Sequence, residues 1–371
     1  MSSYTIACPC LFGLESVLSG EVKRMGGQDI QVTDGKVTFK GDFHMVARAN
    51  IMLRTAERVL IVMGMFRAET FTELFDGVAA LPLEEYIGKT DAFPVKGWSL
   101  SSKLKSIPDC QKIIKKSMSK RLGEHYGLSR LPETGDLVQV RFSIHKDMVS
   151  LMLDTSGLPL HKRGYRAHSN LAPIKETLAA GIADIAHIKP GTKVYDPFCG
   201  SGTILIESAM KALKIPPGLR RRFAAEKWNC IPAEVWREER ERGFDAIVRD
   251  SEFMAYGSDI DPECVALTEQ NCKKASVLRK IKCSLGDVRD FKAPDGDFVL
   301  VCNPPYGERM LDIKNAEKLY RTMGEVFRPG EGRSYCIISP HENFERLFGR
   351  EASRRRKLYN GMLKCQLFMF Y

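Results

Sequence analysis

The 371-residue chain has no run of roughly eighteen or more apolar residues, so it offers no membrane-spanning helix. Its opening, MSSYTIACPC, lacks the basic segment and apolar stretch of a secretory signal. No low-complexity segment occurs, and no repeat with a period of roughly 20 to 50 residues, which argues against a solenoid. Eleven cysteines are present, but the number is odd and the spacing irregular, so no disulfide framework is implied. Several, such as Cys283, Cys302 and Cys336, lie inside apolar runs. The Cys8-Pro9-Cys10 pair has no second pair to complete a zinc site and reads as buried packing. No metal is expected. Free thiols and the missing export signal point to the cytoplasm, with no membrane partner.

What is present is the balance of a globular protein, 44% hydrophobic and 27% charged residues over a length that suggests two or three domains. Lys plus Arg exceed Asp plus Glu by 56 to 46, a net charge of +10 that favours an anionic partner without identifying one. The excess is uneven: residues 1–160 carry a net +2 and residues 161–371 a net +8. The shift falls at SGLPLHKRGYRAHSN (156–170), which reads as a linker.

The first part reads as α+β. A strand over 4–8 precedes a helix over 14–25, with Leu14, Val17, Leu18, Val22 and Met25 on one face. Asp34-Gly35 separates two alternating runs and predicts a hairpin. A helix near 42–52 and a strand at 58–66 follow. Residues 67–155 read as a second unit: a helix over 70–80, extended FPVKGWSL, a basic helix from about 109 to 125 opened by Pro108 and Asp109, and two β-rich runs around Lys146-Asp147. Seven basic residues (Lys103, Lys105, Lys112, Lys115, Lys116, Lys120, Arg121) stand against the single acid Asp109 between 103 and 121. By charge alone this is a solvated helix face. A surface that tracks phosphates is the functional alternative.

The second part alternates helix and strand from 173 to 348, the pattern of a mostly parallel sheet covered on both faces. The terminal RRKLYNGMLKCQLFMFY reads as a hairpin that adds an antiparallel strand. Residues 214–250, with Arg220, Arg221 and Arg222, interrupt the alternation as a helical insertion.

Within this part, KVYDPFCGSGTILIESA leaves a strand, turns on Gly200 and Gly202 and enters a helix at Thr203. It lacks the lysine of a phosphate-binding loop and the third glycine of a pyrophosphate fingerprint. Asp196 beside the turn would repel a diphosphate but can engage an ammonium group. Asp259 ends the next strand, where a carboxylate can accept ribose hydroxyls. Asp287 ends the following one, where it can hold an adenine amino group. Each acid alone could be a helix cap. Three at successive strand ends form a cleft for a cationic, ribose-bearing ligand. Asn303-Pro304-Pro305-Tyr306 then follows an apolar strand as a rigid turn that joins neither helix nor sheet.

DPFCGSGT, GSDIDP, GDVRDF and NPPYGER resemble the class I S-adenosylmethionine-dependent methyltransferases, in the branch that modifies planar amino groups. Taken with GYRAHSNLAPIKETLAAGI (164–182) and the N-terminal part, the chain is similar to bacterial THUMP-domain guanine-N2 methyltransferases of large-subunit rRNA. That resemblance implies a ferredoxin-like unit over 1–66, a THUMP RNA-binding domain over 67–158 and a Rossmann-like methyltransferase domain over 159–371. Some members carry a second, fused methyltransferase, whose activity is not expected here. The resemblance further implies S-adenosylmethionine held by Asp196, Phe198, Gly200, Gly202, Thr203, Asp259, Ile260, Asp287, Val288 and Asn303. Asn303, Pro304 and Tyr306 would hold the target base, and Lys103, Lys112, Lys115, Lys116 and Arg309 the RNA, either rRNA or a pre-ribosomal particle. Cys199 receives no chemistry. Arg309 can instead pair internally with Glu308. The implied mechanism has Asn303 and the Pro304 carbonyl accept the N–H bonds of the amino group while Tyr306 stacks on the base. No obligatory protein partner is expected. Alternatives are methylation of tRNA, of a protein glutamine amide or of DNA adenine, and an RNA chaperone that retains the pocket. The basic helix of the N-terminal half argues against the glutamine substrate, and the intact Asn303–Tyr306 run against the chaperone.

Overall fold

The computed structural model describes residues 3–166, 174–306 and 313–371, and two seven-stranded sheets organise them. The first sheet is built from β1 (Tyr4–Pro9), β2 (Gln28–Thr33), β3 (Lys36–Gly41), β4 (Leu60–Arg67), β5 (Val95–Leu100), β6 (Val140–His145) and β7 (Met148–Asp154). Helices α1 (Glu15–Met25), α2 (Phe43–Met52), α3 (Phe71–Ala79) and α4 (Ile107–Tyr126) intervene. The spatial order is β2-β3-β1-β4-β7-β6-β5. β4 pairs with β1 on one side and β7 on the other, so one sheet runs without a break through residues 66 and 67. The Asp34-Gly35 hairpin forms as its sequence predicts, with Thr33 opposite Lys36 and Gly35 at φ 69°. The basic helix starts earlier than expected. Ser106 caps it, accepting from the Asp109 N–H at 3.4 Å, and Pro108 falls inside its first turn.

The second sheet follows α5 (Glu176–Ile185) and contains β8 (Lys193–Asp196), β9 (Met254–Asp259), β10 (Ile281–Leu285), β11 (Phe298–Cys302), β12 (Arg333–Ser339), β13 (Arg354–Asn360) and β14 (Leu363–Phe370). Between them lie α6 (Thr203–Ala212), α7 (Ala233–Asp245), α8 (Pro262–Lys274), α9 (Ile313–Val326) and α10 (Phe344–Phe348). Their order is β10-β9-β8-β11-β12-β14-β13, parallel from β10 to β12, with β14 antiparallel to β12. This is the α/β, mostly parallel sheet with an antiparallel C-terminal strand that the pattern implied. The last helix of the alternation, α10, is only five residues long and ends at Gly349, φ 78°.

The insertion holds the two sheets together. Its Phe223, Trp228, Ile231, Val235 and Trp236 belong to the core beneath the first sheet, although the chain around them belongs to the second. α7 packs on α2, where the buried Glu239 accepts from Arg48 Nε and Nη2, both at 2.8 Å. Arg221 is largely buried and donates to the Leu158 carbonyl at 2.8 Å. The linker contributes a second joint: Arg163 meets Glu207 at 3.3 Å, with both side chains almost fully buried, and Tyr165 donates to the same carboxylate at 3.0 Å.

Candidate active site

In the second sheet β8 lies between β9 and β11, so the connections from its two sides leave in opposite directions and open a crevice at the strands' carboxyl ends. The crevice measures about 1430 Å³. Asp196, Phe198, Gly200, Thr203, Asp259, Ile260, Asp287, Val288 and the Asn303–Tyr306 turn all line it. Of the cofactor residues the sequence suggested, Gly202 alone stays behind the wall. Its φ of 77° caps α6, and a Cβ there would come within 2.7 Å of Thr268 Cγ2, so it shapes the turn and is not itself part of the lining.

The turn locks onto the acids. The Gly200 N–H donates to Asp259 Oδ2 at 2.9 Å and the Asp261 N–H to Oδ1 at 3.1 Å. Each oxygen keeps a lone pair for a ligand hydroxyl. Asp196 is 1% exposed, and burial pushes its carboxyl up to about 8, against the Phe198 N–H that donates to it at 3.0 Å and with the Asp259 charge adding to the rise. A cationic ligand would restore its charge. Asp287 is already engaged: Oδ1 accepts from the Arg289 N–H at 2.9 Å and Oδ2 from the guanidinium at 3.0 and 2.5 Å, which holds its pKa below the usual range. Ile260 stands 69% exposed beside Asp259, an apolar side chain left open to the crevice. With no lysine in the glycine turn itself and a buried acid beside it, this donor set suits an amino acid joined to a nucleoside.

Across the crevice, Tyr306 donates its hydroxyl to Asn303 Oδ1. Burial pushes the Tyr306 phenol well above its ordinary pKa, so it remains a donor at neutral pH. The Pro305 carbonyl accepts from Tyr320 at 3.1 Å, and Tyr320 is fully buried on α9. Tyr320 was not legible in the sequence, because it meets the turn only once α9 has docked. Arg166 was missed as well. It donates to Thr203 Oγ1 at 3.1 Å and to the Ile174 carbonyl at 3.0 Å, and its place in GYRAHSN was the one signal for it. The turn of the β13–β14 hairpin, Asn360–Leu363, forms another wall.

The structure divides the suggested RNA contacts. Lys112 and Lys116 stand exposed one turn apart on α4, with Lys120 a further turn along. Lys103 is exposed but bonded to Glu69. Lys115 turns inward: its Nζ lies 2.6 Å from Glu133 and 3.4 Å from the Phe93 ring centroid. Arg309 and Glu308 lie outside the described residues. Among the described residues, no cluster of three or more His, Cys, Asp or Glu side chains could hold a metal, and no helix is long and apolar enough to cross a membrane.

Comparison with known proteins agrees with this architecture. Residues 5–60 match the RlmL ferredoxin-like domain, 68–154 the THUMP domain and 163–368 the RMKL-like methyltransferase domain. The Bacillus subtilis (strain 168) protein YpsC, described as a candidate RNA methyltransferase, is 38% identical over 100% of this chain and 97% of its own length. The ribosomal RNA large subunit methyltransferase K/L of Psychromonas ingrahamii is 31% identical over 99% of this chain, which spans 50% of that protein. A crystal structure of SMU.472, described as a candidate methyltransferase complexed with SAH, superposes with a TM-score of 0.95 at 38% identity, covering 100% of this chain and 98% of that one. The chain therefore belongs to the RMKL-like methyltransferases, in the form that carries RlmL ferredoxin-like and THUMP domains ahead of the catalytic one.

Proposed function

We propose that this chain transfers a methyl group from S-adenosylmethionine to the exocyclic N2 amino group of a guanine in large-subunit rRNA. The observation that carries the reading is a single cleft in which three strand-end acids face the Asn303-Pro304-Pro305-Tyr306 turn. On the acid side, Asp196 would hold the ammonium group and Asp259 the ribose hydroxyls, while Asp287, Val288 and Ile260 would hold the adenine. When bound, S-adenosylmethionine supplies an electrophilic methyl group on a sulfonium centre. The rest falls to the chain. A guanine amino group is a poor nucleophile because its lone pair is delocalised into the ring. Asn303 Oδ1 gives one lone pair to Tyr306, and its second can accept one amino N–H. The Pro304 carbonyl can accept the other, which turns the nitrogen lone pair out of the ring plane. Tyr306 fixes the amide and offers its ring to the base, and Tyr320 holds the turn from behind. Catalysis is then a matter of positioning and electrostatics.

RNA as substrate rests on the THUMP match and on the exposed Lys112 and Lys116, and large-subunit rRNA on the name of the K/L relative. The target base must be unpaired or flipped out to reach Asn303. The test compares nucleosides from rRNA fragments of strains with and without the protein by mass spectrometry. It then incubates the purified chain with the undermodified rRNA. Loss of one N2-methylguanine and its restoration in vitro are expected. An unchanged guanine profile overturns the reading, and methylation appearing instead on adenine N6 or on a glutamine amide assigns one of the rival substrates.

A further inference from the structure

The β13–β14 hairpin ends in a two-residue turn, Gly361-Met362, closed by Asn360 opposite Leu363. Met362 is 99% exposed, yet the turn lines the same cleft as Asn303 and Tyr306. The hairpin and the catalytic turn meet at the cleft, where Asn360 and Tyr306 both form part of the wall. A single exposed apolar side chain is ordinary on a protein surface. This one stands on a rigid turn at the mouth of the cleft, and its surroundings are basic. Lys364 and Lys357 on the hairpin and Lys318 on α9 are exposed, and Lys318 also lines the cleft. Among the described residues none of the three has an acidic partner, whereas nearby Arg355 and Arg321 are neutralised by Glu345 and Glu317. The Tyr359 ring, directly opposite Lys364, lies 5.4 Å from Lys357 Nζ.

An exposed apolar side chain at the tip of a hairpin that carries unpaired lysines on one face, beside a further lysine on α9, matches what a nucleic-acid strand presents once a base has left its stack: an apolar gap between two faces, with phosphates along the backbone. We propose that the hairpin tip opens the RNA: Met362 enters the stack in the gap left by the target nucleotide, while Lys318, Lys357 and Lys364 hold the adjoining phosphates. This inference rests on the proposed RNA substrate and adds a second RNA-binding surface, on the catalytic domain itself. Met362 is a positioning residue here, since it acts on the neighbours of the reacting base.

The probe is an RNA fragment centred on the nucleotide mapped by the rRNA comparison, made as a base-paired hairpin and as an unpaired strand, with 2-aminopurine next to the mapped position. Binding of the full-length chain should raise the fluorescence of the paired fragment as the neighbour unstacks. Met362→Ala should abolish that rise, and Met362→Leu, which keeps the apolar bulk, should preserve it. In turnover, Met362→Ala should lower kcat/KM on the paired fragment about tenfold more than on the unpaired strand. Replacing Lys318, Lys357 and Lys364 together should flatten the salt dependence of binding to both forms. A fluorescence rise in Met362→Ala equal to that of the wild type, or an equal loss of turnover on both fragments, overturns the wedge. A wild-type protein that unstacks the neighbour without methylating guanine leaves the wedge standing and removes the guanine reading instead.

Discussion

Asn303 carries the chemistry only through its side-chain oxygen, so changing it should separate catalysis from binding. Asn303→Ala removes one of two acceptors for the amino group and frees the Tyr306 hydroxyl, and single-turnover methylation should fall about a hundredfold or more. Affinity for S-adenosylhomocysteine and the melting temperature should stay close to wild type. A variant that binds and melts normally yet methylates at the wild-type rate would refute the role. Asp196 gives a pH test. Its carboxyl is pushed up to about 8 from 3.8 by burial, so the native state holds a proton that the unfolded chain releases near pH 4. The free protein should therefore lose stability as pH rises from about 4 to about 8. Affinity for a cationic amino-acid nucleoside should rise over the upper part of that window as the carboxylate forms. Calorimetry with S-adenosylhomocysteine from pH 6 to 8.5 should show this rise in wild type and a smaller one in Asp196→Asn. These acids were legible in the sequence because each follows an apolar run that can only be a strand, and a strand's end fixes where its next side chain goes. The Tyr320 support was not, because it is set by docking of a helix whose sequence says only that it is amphipathic.

At the scale of elements, α4 shows what charge counting can and cannot read. The basic run was visible, and so was the helix. Which lysines face water depends on the rotation of the helix against α3 and β5, and that rotation is fixed by the buried Cys110, Ile114, Met118 and Leu122. Lys112, Lys116 and Lys120 fall on the open side, while Lys115 is drawn to Glu133 and Phe93 and Arg121 to Glu84 at 2.6 Å. The two groups should behave differently. Replacing Lys112, Lys116 and Lys120 with Ala should weaken binding to many RNA sequences alike and reduce the slope of log K against log salt by about 2 to 3. Lys115→Ala should leave that slope nearly intact and cost about 1 kcal/mol of stability. Equal slopes for the triple variant and wild type would make the helix a solvated face and nothing more.

For the whole molecule, the strongest signal of domain structure was the change from a mixed α+β pattern to strict βα alternation near residue 160. The joint itself was hidden, because residues 214–250 contribute their aromatic side chains to a core that their own sequence neighbourhood does not contain. Trp228 and Trp236 lie in what the sequence marks only as a helical insertion, and the folded chain shows that they complete the first sheet's core. Such a joint would set how an RNA held on α4 presents its target to the cleft. Glu239 is the point at which to test this. Its side chain is fully buried and meets Arg48, which is 19% exposed. Removing the acid strands a cation that can partly regain water, so the cost should sit near the low end for a broken buried pair, about 3 kcal/mol. Glu239→Ala should lower the first melting transition and separate it from that of the catalytic domain, with tryptophan fluorescence following the lower one. Affinity for S-adenosylhomocysteine should hold below that transition, since the cleft lies wholly in the second sheet's domain. Methylation of rRNA should fall through a higher KM, because a loosened joint presents the bound RNA to the cleft less often. If Glu239→Ala melts in one transition at the wild-type temperature with an unchanged KM, α7 is a passive insertion and domain placement depends on other contacts, among them Arg163–Glu207 and the bonds from Arg54 to the Met210 and Ile215 carbonyls.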